Sequence, residues 1–481
     1  MNGSGKGLSE DWLSLIIGLV IFVLSLGLVA NMDLLGWVVT THVWTSIGTA
    51  LAPASKAYAG LGGIGSLIAT YVGLLVLMTL GAAAMGADVA RFIAKFTAVF
   101  LIGYACWIIG SWAHFALNTP AAMQKAGITW SLRLTAEGGF VVALIVGLII
   151  GNFMPGFAAW MQEAVKPELY VKIAIVILGG FLGIVSAEKL GLATSLMFLG
   201  LAAIIVAYLI FWSVVYYVAR VWFGFSREWA APLASGISVC GVSAAIATGG
   251  AIRARPTVAV MVSSLVVVFA VIELLILPGL ADYFLSDQPI AAGAWMALSV
   301  KTDGAAVASG AITEGLIYAK AAAAGVKYQP GWILGTAATV KVFIDIFIGV
   351  WAFVLAYIWT RHIDVRPGDT AHVREIWDRF PKFVIGYVLT FIVILLVALS
   401  ASPPVVAKVK AAMGEANVFR GIFFVLTFFT IGVMSNFRKL WQEGIGRLAA
   451  VYLLCLFGFV IWVGLIISLL FYSGVKPPLM S

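Results

Sequence analysis

Charged residues are scarce in this sequence, since Asp, Glu, Lys and Arg make up only 10% of its 481 residues. A soluble globular domain carries about 25%, so the chain lacks the polar surface that a water-soluble protein needs. Hydrophobic residues make up 63% of the chain. Only helices and closed barrels span a bilayer, and long apolar runs favour helices. The composition therefore predicts an all-α polytopic membrane protein and excludes an ordinary soluble one.

Motifs of the common enzyme classes are also lacking. The three cysteines, Cys106, Cys240 and Cys455, lie in apolar runs with neither metal-site spacing nor a disulfide framework. The four histidines do not form the HExxH pattern of a zinc protease, and there is no P-loop. We therefore expect no enzymatic activity, no metal and no cofactor, with Na⁺ and H⁺ as candidate coupling ions.

The net charge of +8 could indicate a nucleic-acid partner. The basic residues lie between apolar runs, however, which is the distribution that the positive-inside rule requires. We therefore expect the chain to contact the lipid bilayer and to bind no nucleic acid.

Eleven apolar runs approach the length of about 20 residues that crosses a bilayer. They are 12–30, 64–86, 92–117, 138–152, 170–190, 194–222, 256–279, 331–360, 382–400, 418–436 and 447–473. No obvious small-residue cleavage site follows the first run, so we interpret it as a retained helix. Two further stretches, 231–252 and 292–313, are apolar but rich in Gly, Ala, Ser and Thr.

Loop charges predict that these two stretches do not cross the membrane. The 361–382 loop is basic and the 280–291 loop carries two acidic residues and no basic one, so we place them inside and outside, respectively. An odd number of crossings must separate them, which makes 292–313 the natural re-entrant segment. Arginines flank 231–252 on both sides, so it should also enter and leave on one face. The prediction is about eleven spanning helices and two re-entrant or broken segments that enter from opposite faces, with a cytoplasmic N-terminus.

The two stretches also resemble each other. Ser238–Gly249 reads SVCGVSAAIATG and Ser299–Gly310 reads SVKTDGAAVASG, with six of twelve positions identical. Small-residue membrane segments can look alike by chance. The alternative is an internal duplication whose halves meet near the bilayer midplane, as in inverted-repeat transporters. A weaker pair, GIVS at Gly183–Ser186 and GVMS at Gly432–Ser435, would extend the duplication to other helices.

Broken helices expose backbone groups that bind ions. Freed N–H groups and positive helix N-termini suit an anion, whereas freed carbonyls suit Na⁺. Irregular backbone at membrane depth is tolerated only where it is buried in protein or lines a wet cavity. We therefore predict a binding site for a small anionic substrate made of Ser238, Cys240, Gly241, Ser243, Thr248, Ser299, Lys301, Thr302, Asp303, Ser309 and Lys341.

Structural roles stay open for the charged members of this set. An ionisable residue at membrane depth is expensive to bury, which favours a functional role. Lys301 and Asp303 could instead pair with each other at the turn. Lys341 could pair with Asp345, four residues along the same helix.

Four further charged residues have weaker claims to the site. Arg253 and Arg255 are expected to anchor the chain at the cytoplasmic surface rather than to attract an anion. Glu188 and Glu273 stand alone in or beside apolar runs, and we expect neither to relay protons or cations.

Several motifs along the chain carry a family resemblance. They are GLIIGN at 147–152, VILGGFLG at 176–183, SGISVCGVSAAIA at 235–247, TVK at 339–341, FPKFVIGY at 380–387 and IGVMSNFRKL at 431–440. Together they resemble the YeiH-like sulfate exporters, a family of bacterial inner-membrane proteins, over about 138–473. The resemblance implies a cation-antiporter/anion-transporter-like fold that works as an elevator and as a homodimer. Residues 1–134 would then be extra helices forming a scaffold or dimer surface, and 135–481 the transport domain.

The second stretch departs from the family pattern. Where the family commonly has a run with histidine, glutamate and glutamine, this chain has SVKTDGA at Ser299–Ala305, with Lys301 at the histidine position. The arginine that often follows the TVK motif is replaced by Ile344. A more permanent positive charge at Lys301 keeps the anion interpretation, and it leaves proton coupling and the exact substrate open.

The leading hypothesis is a secondary transporter for a small anion that works by alternating access, with the substrate between the two broken segments. The resemblance implies sulfate or an organosulfonate. The alternatives are an ion channel, or a transporter of a carboxylate or another solute coupled to Na⁺ or H⁺. A membrane enzyme or receptor is disfavoured because the chain has no sizeable soluble domain.

Overall fold

A computed structural model describes residues 8–117, 120–132, 138–188, 194, 200–201, 204–363, 377, 380–436 and 446–480. These residues are almost entirely helical. The helices are α1 Glu10–Ser25, α2 Gly62–Ala84, α3 Val89–Gly110, α4 Ala113–Ala116, α5 Pro120–Lys125, α6 Gly138–Phe153, α7 Pro155–Met161, α8 Pro167–Glu188, α9 Val206–Trp222, α10 Arg227–Ser235, α11 Gly241–Ala251, α12 Pro256–Leu285, α13 Pro289–Ser299, α14 Asp303–Ala323, α15 Trp332–Ile346, α16 Ile348–Ile358, α17 Lys382–Ser400, α18 Pro403–Met434, α19 Gly446–Cys455 and α20 Ile461–Tyr472. Two short strands, β1 Val39–Thr41 and β2 Leu51–Pro53, pair antiparallel with Val39 opposite Pro53.

The helices confirm the predicted polytopic membrane fold. Among the described residues, ten helical stretches are long and apolar enough to cross a membrane, or up to eleven if α6 and α7 form one span. The axes of α6 and α7 meet at 113° after Phe153, where the sequence run was short. Most of the basic 361–382 loop, part of the 194–222 run and the Glu188 side chain lie outside the described residues.

Packing divides the chain into two compact units. Unit 1 comprises Met1–Leu190, Ala322–Gly325 and Lys382–Met434, and unit 2 comprises Gly191–Ala321, Val326–Pro381 and Ser435–Ser481. The helices on both sides of the expected boundary at 134/135 belong to unit 1. The scaffold role of 1–134, the inverted repeats and the elevator mechanism stay predictions.

Glycines allow helices of unit 1 to cross closely. A Cβ added at Gly183 in α8 would lie 2.7 Å from the carbonyl oxygen of Phe391, and one at Gly432 in α18 would lie 2.5 Å from that of Leu144. Any side chain at these positions would force the helices apart. The GIVS and GVMS motifs therefore each place a glycine at a helix crossing, which is a packing reason for their similarity that needs no duplication.

Helix α1 is an integral part of unit 1. Lys166 and Lys172, at the start of α8, pair with Glu10 and Asp11 at 2.6 and 2.7 Å. Along the same helices, a Cβ at Gly18 would lie 2.6 Å from Val176. The first helix is thus held to α8 by charge at one end and by close packing further along.

Candidate functional site

The first small-residue stretch, Arg227–Ala251, folds back on itself within unit 2. A continuous helix rises 1.5 Å per residue and would separate Ser235 from Thr248 by about 20 Å. Instead, Thr248 Oγ1 donates a hydrogen bond to Ser235 Oγ at 2.7 Å. At the open end of the hairpin, Arg255 Nε lies 3.0 Å from Oε1 of Glu228, in the first turn of α10. The stretch is long and apolar enough to cross a membrane, but its geometry is that of the re-entrant hairpin that the loop charges predicted.

The turn of this first hairpin lies at Cys240 and Gly241. A π-helical turn over Gly236–Cys240 ends α10, and Cys240 then adopts φ −136° and ψ 86°. Gly241, with φ 7° and ψ −93°, opens α11. The break therefore falls within the SGISVCGVSAAIA motif at 235–247.

The second stretch is also a hairpin, made of α13 and α14. Gly293 and Gly310 would be about 25 Å apart on one continuous helix. Cβ atoms added at these two positions would lie 2.5 and 3.8 Å from the same carbonyl oxygen, that of Ile333 in α15. The turn begins at Val300, which is extended with φ −81° and ψ 128°. Both stretches are thus confirmed as broken helices; their entry from opposite faces stays a prediction.

The tips of the two hairpins touch. A Cβ at Gly241 would lie 3.0 Å from the Lys301 carbonyl oxygen and 3.2 Å from Thr302 Cγ2. The Cys240 thiol donates a hydrogen bond to Asp303 Oδ1 at 2.6 Å. Helices α11 and α14 start at Gly241 and Asp303, so both present their positive N-terminal ends at this contact. The aligned halves of the sequence repeat therefore meet at their breaks.

Lys341 joins the two tips from α15. Its ammonium donates hydrogen bonds to the carbonyl oxygens of Val239 at 2.8 Å and Lys301 at 3.4 Å, one from each hairpin. It also lies 3.9 Å from Asp303 Oδ1, and both side chains are almost fully buried. Carbonyl oxygens at two helix breaks form a position that suits a cation. The Lys341 ammonium occupies that position.

Lys301 does not pair with Asp303, so the proposed pairing of these two residues at the turn is wrong. Its ammonium donates to the Leu298 carbonyl oxygen at the end of α13. The same ammonium lies 5.3 Å from the ring centre of Phe211, within the range of a cation–π interaction. The charge of Lys301 is therefore satisfied on the α9 side of the turn, and Lys341 is the ammonium beside Asp303.

The predicted hydroxyl residues divide into two groups. Thr302 Oγ1 accepts from the Ala305 amide at 3.2 Å and caps α14, while Thr248 ties the arms of the first hairpin. The hydroxyls of Ser238, Ser299 and Ser309 are buried without a hydrogen-bond partner. Three unpartnered hydroxyls in these segments leave donors available to a bound ligand.

One predicted residue is less central than the others. Ser243 is only half buried in α11. Its hydroxyl is therefore a weaker candidate ligand for a buried site than the hydroxyls of Ser238 and Ser299.

Two residues at the site were not predicted from the sequence, since Glu273 was considered and discounted and Tyr452 was not considered. Glu273 in α12 is completely buried, and its Oε2 accepts from the backbone amide of Lys301 at 3.0 Å. Tyr452 in α19 donates from its hydroxyl to Glu273 Oε1 at 3.3 Å. The sequence signal for Glu273 was a glutamate within an otherwise apolar run. No sequence signal indicated Tyr452, because it is one of several aromatic residues in an apolar run.

The ligand atoms of Cys240, Asp303 and Asp345 lie within 4.8 Å of one another, a spacing that could hold a metal ion. The Lys341 ammonium at 3.9 Å from Asp303 would repel a second cation there. The two helix N-termini and this ammonium instead favour an anion at the junction of the tips.

Comparisons with known proteins identify the family. A family described as "Conserved hypothetical protein 698" matches residues 127–451. A UPF0324 membrane protein of Nitrosomonas europaea is 41% identical over 99% of this chain and 98% of its own length. A UPF0324 membrane protein of Rhodopirellula baltica is 31% identical over 77% of this chain and 61% of its own length. An uncharacterized protein of Archaeoglobus fulgidus is 49% identical over 31% of this chain and 91% of its own length.

No solved structure matches the chain. The match to the Nitrosomonas europaea protein extends over the N-terminal helices as well as the two hairpins. The chain belongs to the UPF0324 family of YeiH-like membrane proteins.

Proposed function

We propose that this protein is a secondary transporter for a small anion, which binds where the tips of the two hairpins meet. The observation that carries the proposal is the convergence of two helix N-termini on the buried ammonium of Lys341. Each N-terminus presents about half a positive charge at the contact between the tips. The two N-termini and the ammonium are the positive groups at the tips, and they support an anion there against the nearby Asp303 and Asp345 carboxylates.

The polar groups beside the tips bear on the kind of anion. Ser238 and Ser299, next to the two breaks, are buried and offer unpartnered hydroxyls. Such neutral donors bind a compact oxyanion by hydrogen bonds without adding charge. The family resemblance suggests sulfate or an organosulfonate, and carboxylates share the same acceptor chemistry.

Paired hairpins favour transport by alternating access over conduction through an open pore. Irregular backbone at the midplane of a transporter forms a site that two gates expose in turn. We extend the proposal to the elevator mechanism, the homodimer, the bacterial inner membrane and the cytoplasmic N-terminus, all of which rest on the resemblance and the loop charges. An ion channel is the alternative, and single-channel currents from purified protein would establish it.

The test compares two buried lysines. Lys341→Met removes the ammonium at the tips, whereas Lys382→Met removes a buried ammonium in α17 of unit 1. Losing one partner of a buried charge pair costs about 2–5 kcal/mol, which corresponds to at least about a 30-fold loss of affinity. We expect Lys341→Met to abolish stabilisation of the purified protein by sulfate and flux in proteoliposomes, and Lys382→Met to retain both. Sulfate binding by Lys341→Met with wild-type affinity would refute the proposed site.

A further inference from the structure

Glu273 is a buried carboxylate that anion binding does not explain. It lies in the middle of α12 with no exposed surface. One carboxylate oxygen accepts from the backbone amide of Lys301 and the other from the Tyr452 hydroxyl. It therefore holds the turn of the second hairpin to α19, directly behind the proposed anion site.

The buried charges of unit 2 do not balance. Among the described residues of this unit, five ionisable side chains of Asp, Glu, Lys or Arg are almost fully buried. They are Glu273, Lys301, Asp303, Lys341 and Asp345. Three carboxylates face two ammoniums, so the cluster carries one excess negative charge when every member is ionised. An unbalanced buried charge is costly, and a group in this position takes up a proton when one is available.

Glu273 is the carboxylate best placed to hold that proton. Asp303 has the Lys341 ammonium at 3.9 Å and the Cys240 thiol as donor. Asp345 lies one helical turn after Lys341 on α15, and its carboxylate interacts with the Lys341 charge and lies within 4.8 Å of the ligand atoms of Cys240 and Asp303. Among the described residues, Glu273 accepts hydrogen bonds only from a neutral amide and a neutral phenol, and neutral donors offset the desolvation of a carboxylate less than an ammonium does.

The titratable groups around Glu273 come from three directions. Lys301 lies at the turn between α13 and α14, Lys341 on α15 and Tyr452 on α19. Both ammoniums favour the ionised carboxylate, and both are shared with Asp303, Asp345 or backbone carbonyls. An anion bound at the tips would draw on the Lys341 ammonium and so weaken its support of the Glu273 carboxylate.

We propose that Glu273 binds the proton that moves together with the anion, which makes the protein a proton–anion symporter. The inference rests on the proposed anion site. A bound anion adds negative charge beside the cluster, and a proton on Glu273 removes one unit of it. By linkage, each ligand then strengthens the binding of the other.

Protonation of Glu273 would also weaken the hydrogen bond that ties the turn of the second hairpin to α12. The ionised carboxylate accepts a charge-assisted hydrogen bond from the Lys301 amide, and a neutral carboxyl accepts a weaker one. The turn that lines the anion site is therefore freer when the proton is bound. The proton and the anion thus both act on the turn of the second hairpin.

The experiment measures sulfate binding as a function of pH. We expect sulfate affinity of the wild type to rise by up to about tenfold for each unit of falling pH over the range where the proton binds. Binding in weakly buffered solution should take up about one proton per sulfate. Glu273→Gln mimics the protonated carboxyl, so it should bind sulfate with an affinity that no longer depends on pH and without proton uptake.

The matched control is Glu415→Gln, which neutralises a buried glutamate of α18 in unit 1. It should retain the wild-type pH dependence. Wild-type sulfate binding that is independent of pH and releases or takes up no proton overturns the symport inference and leaves the anion site standing. Persistent proton uptake by Glu273→Gln assigns the proton to another group and also overturns it. Absence of sulfate binding at every pH refutes the proposed function, and the inference with it.

Discussion

Alanine at Gly241 tests whether the two hairpin tips touch. The added Cβ would overlap the side chain of Val266 and lie 3.0 Å from the Lys301 carbonyl oxygen. Carbon and carbonyl oxygen normally stay about 3.3 Å or more apart. Val266 is fully buried in α12, so its branched side chain cannot swing into solvent to make room. The first hairpin must therefore move away from α12 and from the tip of the second hairpin.

The size of the effect follows from overpacking. An extra methyl group in a well-packed core costs about 1–3 kcal/mol. Gly250, in the same helix, is the control because a Cβ there would meet nothing within 4 Å. Alanine gains about 0.5–1 kcal/mol over glycine inside a helix, so Gly250→Ala should keep or raise stability. We expect Gly241→Ala to lower the apparent melting temperature by a few degrees and to weaken sulfate binding.

The assay is thermal unfolding of the purified protein in detergent, with and without sulfate, for the wild type and both variants. If Gly241→Ala melts and binds sulfate like Gly250→Ala, the two tips do not approach each other. The arrangement of Lys341 between them would then also be wrong.

Two further predictions concern the hairpins. Thr248→Val removes the hydrogen bond to Ser235 that joins the arms of the first hairpin, so it should cost about 0.5–1.5 kcal/mol in unfolding measurements. Ser309→Ala, at the aligned position of the second segment, removes an unpartnered hydroxyl and should cost less than Thr248→Val. Equal losses would contradict this assignment. Cysteines replacing Arg253 and Asp287, both exposed, should react with an impermeant thiol reagent from opposite faces of the membrane because α12 lies between them, and labelling of both from one face would contradict the predicted orientation.

Local sequence was sufficient to locate the two hairpins. The small residues at Ser238–Gly249 and Ser299–Gly310 marked the broken stretches, and the structure places the breaks within them, at Cys240–Gly241 and from Val300 onward. The reason is physical, since a break in a membrane helix needs small residues and polar groups nearby. Loop charges predicted that the first stretch folds back, although its length alone suggested a span.

The partners of the charged groups could not be predicted from local sequence. Lys301 and Asp303 are two residues apart, yet the fold pairs Asp303 with Lys341, 38 residues away along the chain. Glu273 was discounted because it stands alone in its own run, and its contact with Tyr452 spans 179 residues. Such pairings depend on which helices pack together, and periodicity within one segment carries no information about that.

The central claim is that an anion binds between the tips of the two hairpins. Crystals of the purified protein soaked in selenate, a sulfate analogue with an anomalous scattering edge, test it directly. We predict an anomalous difference peak within hydrogen-bonding distance of the Lys341 ammonium, beside the amides that begin α11 and α14, which disappears in Lys341→Met. A selenate peak elsewhere in the protein, with none at the tips, would contradict the claim.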